Sequence, residues 1–251
     1  MARTPRLSPI EAFRESEADA ETLMRIAGAF PNSRVRAMRS ELRQRVGDAL
    51  RIRAADRAHL DCIENERVFL LFKNSNSLSK QDFVDTRPLL RQAIVAACAA
   101  FETYLADKVM ECIGAALNSN SPPKRLKEIA LTVGQWIEIE NTYTRRRWGI
   151  RPVVEEAVRE QASTAPNKVG MVLGMIGINQ WSRKVDTQRG VSKGTTESEL
   201  DAITNRRNRI AHAADRVGQG RADLKVDETD RLLGQIREIV DAIDAVVNAN
   251  P

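Results

Sequence analysis

Apolar residues recur along this chain in steps of three and four, the spacing that gathers one face of an α-helix. From Val35 the stripe runs through Met38, Leu42, Val46, Ala49 and Ile52. Between these stand Arg34, Arg36, Arg39, Arg43, Arg45, Arg51, Arg53 and Arg57 against Glu41, Asp48 and Asp56. A phosphate-facing helix and an Arg-rich helix turned to solvent both fit that pattern. The polar run NSNSLS at 74–79 predicts a loop and a boundary. The strongest pattern follows Pro88, where Leu90, Ile94, Ala97, Phe101, Leu105, Val109 and Cys112 define one long helix. It is expected to end across Asn118–Pro123, where two prolines cannot continue it.

The second half continues in the same period. One helix is predicted from Lys124 through Ile129, Val133 and Ile137, and another with Pro152 in its first turn, reaching Ala162. Asn167–Ile178 reads as a short buried helix, and Ser182–Gly194 as an exposed polar loop. Thr196 with Glu199 three residues on forms a capping-box pattern opening a helix that carries Leu200, Ile203 and Ile210. After a Gly-containing loop at Val217–Lys225, a last helix carries Leu232, Leu233, Ile236, Ile239, Val240, Ile243 and Val247. The expected fold class is all-α, with an Arg-rich helical extension over 1–80 and a helical bundle over 81–251.

Composition agrees with this reading. At 42% apolar and 29% charged the chain can bury a core, and 4% aromatic with few Gly and Pro argues against a β-sandwich. Three cysteines (Cys62, Cys98 and Cys112) without CxxC spacing leave no disulfide framework or zinc ribbon. Met1–Ser8 has no apolar signal core, and the longest apolar runs, Ala93–Phe101 and Val169–Ile178, are shorter than a membrane span. A soluble protein of the reducing cytoplasm, with no membrane partner, is expected. The net charge is +5, with 30 Arg and only 9 Lys. This suits a polyanion, since Arg binds phosphate bidentately, and it equally fits a GC-rich coding bias.

Several chemistries lack their parts. No Walker A loop, GxGxxG, GxSxG or HExxH is present, and two histidines cannot make a multi-histidine metal site in one chain. His59 and Cys62 lie one helical turn apart but have no further ligands nearby. No cofactor or metal is expected. His212 stands out because Asn205-Arg206-Arg207-Asn208-Arg209 precedes it. An imidazole exchanges protons near neutrality and guanidinium groups stabilise anionic phosphorus, which suffices for RNA carrying its own 2′-OH nucleophile. Structural roles are also open: His212 can sit on a helix C-terminus, and Arg207 can pair with an acid such as Glu102 inside the bundle. Arg145, Arg146 and Arg147 with Trp148, together with Arg206 and Arg209, are candidate RNA-binding residues; Trp148 offers either a stacking surface or a core anchor.

The motif Arg207-Asn208-x-x-x-His212, on a capped helix followed by a loop, resembles the signature of the HEPN superfamily. The run Ala99-Ala100-Phe101-Glu102-Thr103-Tyr104-Leu105 resembles the first bundle helix of its RiboL-PSP-type branch. The resemblance covers roughly Arg87 to Val247. It implies an antiparallel helical bundle of HEPN type and a metal-independent endoribonuclease that leaves 2′,3′-cyclic phosphate and 5′-OH ends, in a toxin–antitoxin or anti-phage setting. By it, Arg207 polarises the scissile phosphate, His212 is general base or acid, Asn208 orients its neighbours, and Glu102 fixes Arg207 or the imidazole. Arg207 and His212 lie about 140° apart around a regular helix. Either the helix loosens before His212, or two chains build the site together. The resemblance favours the second, with a homodimer and a neutralising antitoxin or defence partner. The alternative is a non-catalytic helical module that binds RNA or a partner protein.

Overall fold

The computed structural model describes residues 7–29, 40–57, 86–144, 146–218 and 220–250. His59, Cys62, the 74–79 run, Arg34, Arg36, Arg39 and Arg145 lie outside the described residues, as do the side chains of Arg43, Arg146 and Arg147. Ten helices follow in order among the described residues: α1 (Pro9–Ala29), α2 (Ser40–Ala49), α3 (Arg87–Asn118), α4 (Lys124–Lys127), α5 (Val133–Thr142), α6 (Arg146–Gln161), α7 (Pro166–Gly174), α8 (Trp181–Arg189), α9 (Thr195–Ala213) and α10 (Val226–Asn248). A two-residue antiparallel pair, β1 (Arg216–Val217) and β2 (Gly220–Arg221), links α9 to α10. The fold class is all-α, as the periodicity predicts.

The bundle is built around α3. Its buried residues include Leu90, Ala93, Ala97, Ala100, Phe101, Tyr104 and Leu105, which point to several sides of the helix. Neighbours explain this: α1, α6, α7, α9 and α10 all pack on α3. By length and composition α3 is apolar enough to cross a bilayer, but most of that stretch is buried in the bundle, as a core helix must be.

The first described helix shares this core. Phe13, Ala20 and Ala27 of α1 are buried against the bundle, and Phe13 meets Tyr104 edge to face at 5.8 Å. Buried Glu17 accepts from Arg237 Nε of α10 at 2.8 Å and from Arg14 at 3.0 Å, and Arg237 also reaches Glu21. The N-terminal segment expected as an extension thus contributes a helix to the central packing.

Four local expectations are corrected. The helix predicted from Lys124 to Ile137 is two, because α4 stops after one turn and Thr132 with Gln135 caps a fresh start at α5. Helix α6 begins at Arg146, six residues ahead of Pro152, so the proline stands inside it. There it removes the amide that would bond the Trp148 carbonyl. The segment expected as an exposed loop at Ser182–Gly194 holds α8, whose Trp181 and Val185 are buried one turn apart. Its remaining residues are polar, which hid the pattern. The described part of the Arg-rich segment is helical over α2, but the backbone turns left-handed at Arg51, and Arg57 folds back to Asp48 at 2.8 Å and to the Ile52 carbonyl at 3.0 Å.

Candidate active site

Helix α9 carries Arg206, Arg207, Asn208, Arg209 and His212, and both its ends are fixed by residues from elsewhere. At its start the expected capping box does not form. Gly194 is the N-cap in the left-handed region (φ 87°), which a residue with a Cβ rarely adopts. The cap comes from α8: Asp186 accepts from the Gly194 amide at 2.7 Å and the Thr196 amide at 3.0 Å. Burial works against the Asp186 charge, but these hydrogen bonds and nearby Arg189 outweigh it and hold the carboxyl below its usual range. Glu199 pairs instead with Arg189 at 2.8 Å.

At the other end Ala214 and Asp215 turn left-handed (φ 49° and 57°), and the Asp215 amide closes onto the Arg209 carbonyl at 2.8 Å. The Asp215 carboxylate is fully buried, with Arg91 of α3 at 3.0 Å and Arg206 at 3.2 Å. Arg91 also donates to the Ala222 carbonyl at 2.8 Å and Arg206 to that of Asp223 at 2.9 Å. Arg206, expected on an RNA track, is therefore turned inward. Two cations share one buried carboxylate, and the arrangement ties the end of α9 to α3 and to the segment that follows β2.

Arg207 points toward α3 and is half-buried. Its Nη2 lies 3.3 Å from Glu102 Oε1 and 3.4 Å from Oε2, and its Nη1 donates to Asn208 Oδ1 at 3.1 Å. Arg207, Asn208 and Glu102 thus form one constellation across α9 and α3. Glu102 also accepts from the Thr164 amide, and the Thr164 and Thr204 hydroxyls meet at 2.9 Å, fixing that loop to α9. Burial pushes the Glu102 carboxyl above its usual range, with Arg207 and the Thr164 amide working against the rise. Cys98, one turn earlier on α3, is pushed up to about 12 by burial and by Glu102, partly offset by Arg207. Its thiol is neutral at physiological pH and is no nucleophile.

His212 is exposed in the last turn of α9. Helix α9 stays helical through Ala213, so it does not unwind between Arg207 and His212. Arg207 faces the bundle while His212 and Arg209 face outward. Among the described residues no group of three His, Cys, Asp or Glu is placed to hold a metal ion. Periodicity missed Thr164, Arg91 and Asp215. The Arg91–Asp215 pair spans 124 residues and leaves no spacing signal.

No curated protein and no solved structure matches the chain. A family model, RiboL-PSP-HEPN, matches residues 61–249. The match begins ahead of the boundary expected near residue 80 and covers α3 to α10, with all of Glu102, Arg207, Asn208 and His212. HEPN-type domains have RNA-related functions and commonly include ribonucleases. The chain belongs to the RiboL-PSP-HEPN family.

Proposed function

We propose that the chain is a metal-independent endoribonuclease acting as a homodimer. The observation that carries this reading is the Glu102–Arg207–Asn208 constellation, whose Arg207 and Asn208 share α9 with an exposed His212. In the reaction His212 takes the proton from a ribose 2′-OH, the 2′ oxygen bonds to phosphorus, and the bond to the 5′ oxygen breaks. The leaving oxygen takes up a proton, giving a 2′,3′-cyclic phosphate and a 5′-OH end. Arg207 stabilises the charge that grows on the phosphoryl oxygens. Glu102 and Asn208 are positioning residues that hold the guanidinium by charge and by hydrogen bond.

One His212 cannot be both base and acid in a single step. Two copies facing each other supply a second imidazole and a second guanidinium, and offset the divergent facing of Arg207 and His212 on one helix. Uncontrolled cleavage of RNA harms its host, so a cytoplasmic toxin–antitoxin or anti-phage role, with a neutralising partner or a trigger, follows. Expression in a bacterial host tests this. Wild type is expected to slow growth, and Arg207→Ala and His212→Ala to relieve the effect at equal protein level. Equal growth of all three strains would instead favour a non-catalytic module that binds RNA or a partner protein, in which Arg207 serves the fold through Glu102.

A further inference from the structure

The hairpin after α9 is anchored from inside and charged outside. Buried Asp215 holds Arg91 and Arg206, and its carbonyl accepts from the Ala222 amide at 2.7 Å. Arg91 and Arg206 in turn donate to the carbonyls of Ala222 and Asp223, and Leu224 is buried. Both ends of the β1–β2 pair are thus fixed to the bundle, and Gly218 turns left-handed (φ 58°) where the hairpin reverses. In this register Arg216 stands directly opposite Arg221, and Val217 opposite Gly220. Residues paired in this way project from one face of the ladder, about 4.5–5.5 Å apart at Cβ. Both arginines are exposed. Like charges directly opposite each other are destabilising, and neither side chain has a hydrogen-bond or ion-pair partner among the described residues. The acids of the segment are engaged elsewhere: Asp215 is buried on two other arginines, and Asp223 lies 3.9 Å from Arg87. Helix α9 packs on β1, which places the pair at the same end of the bundle as exposed Arg209 and His212.

We propose that Arg216 and Arg221 form a clamp for one phosphodiester of the RNA backbone, separate from the Glu102–Arg207–Asn208 constellation. A guanidinium donates two parallel N–H bonds to phosphate oxygens, and an anion shared by both arginines replaces their mutual repulsion with attraction to it. The buried anchors of the hairpin hold the pair in place before RNA arrives, so little ordering is left for binding to overcome. The phosphate held here flanks the scissile one, because the clamp belongs to the end of α9 that carries His212, whereas Arg207 faces the bundle. The inference rests on RNA being the substrate, as proposed above, and adds a backbone contact that positions it. Carboxylates of an acidic protein segment are the competing occupant, and the shared end with His212 favours the substrate.

The test uses the full chain and a short fluorescent strand of 2′-O-methyl RNA, which has no free 2′-OH and stays intact, read by anisotropy across a salt series. The double variant Arg216→Ala/Arg221→Ala is expected to bind about ten-fold more weakly. Its slope of log affinity against log salt should fall by about 0.7, the share of one phosphate on a single strand. Arg216→Lys/Arg221→Lys keeps the charge without the fork, and should restore the slope and only part of the affinity. The loss should be the same for strands of different sequence, since phosphate contacts carry no base information. The alanine variant should melt no lower than the parent, because it relieves a like-charge pair. A clear fall in melting temperature would make the pair a part of the fold and overturn the proposal. Unchanged affinity and salt slope would overturn it too, and a change in sedimentation mass alongside them would assign the pair to a protein contact. Cleavage of ordinary RNA by the parent chain is scored separately. Clamp-dependent binding without cleavage would sink the nuclease reading alone, and cleavage with clamp-independent binding would sink the clamp alone.

Discussion

Two neighbouring arginines on α9 meet carboxylates in opposite circumstances. Arg206 is buried on Asp215, which also holds Arg91, while Arg207 meets Glu102 where both side chains keep between a fifth and a third of their surface. Removing one member of a buried pair strands the remaining charge and costs about 3–5 kcal/mol, whereas a partly hydrated pair contributes about 1 kcal/mol or less. Asp215→Ala is therefore expected to lower denaturant stability by about 3–5 kcal/mol. Arg207→Ala should move the melting temperature by no more than about 4 °C. Equal losses in the two variants, measured by thermal and urea melts, would contradict this division of labour. The distinction matters for function, since loss of activity in Arg207→Ala then reflects chemistry rather than unfolding. It was only partly legible in the sequence. The Arg207–Glu102 pair follows from the motif and from the acid on the long helix, but nothing local reveals that Arg206 turns toward a carboxylate brought in by a left-handed chain reversal.

At the scale of elements, helices with a continuous apolar stripe were readable, and those whose stability comes from neighbours were not. Helices α3, α7, α9 and α10 follow their spacing closely. Helix α8 did not announce itself, because nine residues with few apolar side chains carry little pattern. Yet α8 supplies the cap of α9, and the capping box written in Thr196 and Glu199 gives way to Asp186 because Glu199 gains Arg189. This predicts a pH dependence. The Asp186 carboxyl is held below its usual range in the fold, so its contribution is present above the unfolded-state pKa and is lost as pH falls through the folded one. Asp186→Asn should cost about 1–2 kcal/mol at neutral pH and flatten the fall in stability on acidification. An unchanged acid limb would rule out Asp186 as its source. Glu102 has the opposite sign. Its carboxyl is raised by burial, so folding favours the neutral form and stability declines as pH rises through its range. Protonation there also loosens the hold on Arg207, and Glu102→Gln should remove the pH sensitivity of the Arg207 position, read from the NMR signals of its side chain.

Across the whole molecule, the bundle around α3 brings Glu102 to the middle of one helix and Arg207 to the far part of another. The buried Arg91–Asp215–Arg206 cluster at the end of α9 and the Asp186 cap at its start fix that helix firmly. A rigid α9 cannot bring Arg207 and His212 to one face, so the proposed mechanism needs a second copy to complete the site. The free chain should then sediment as a dimer, and mixtures of Arg207→Ala with His212→Ala protomers should recover part of the activity that each lacks alone. Two inactive variants that fail to complement in a confirmed mixed dimer would count against a shared site.

Incubating a mixed RNA pool in EDTA with wild type and with His212→Ala, and reading the chemistry of the new 3′ ends, tests the central claim most directly. Cyclic phosphate ends made by wild type alone are the predicted result. Intact RNA with wild type across diverse pools, or equal cleavage by both proteins, would contradict the assignment of metal-independent cleavage to His212.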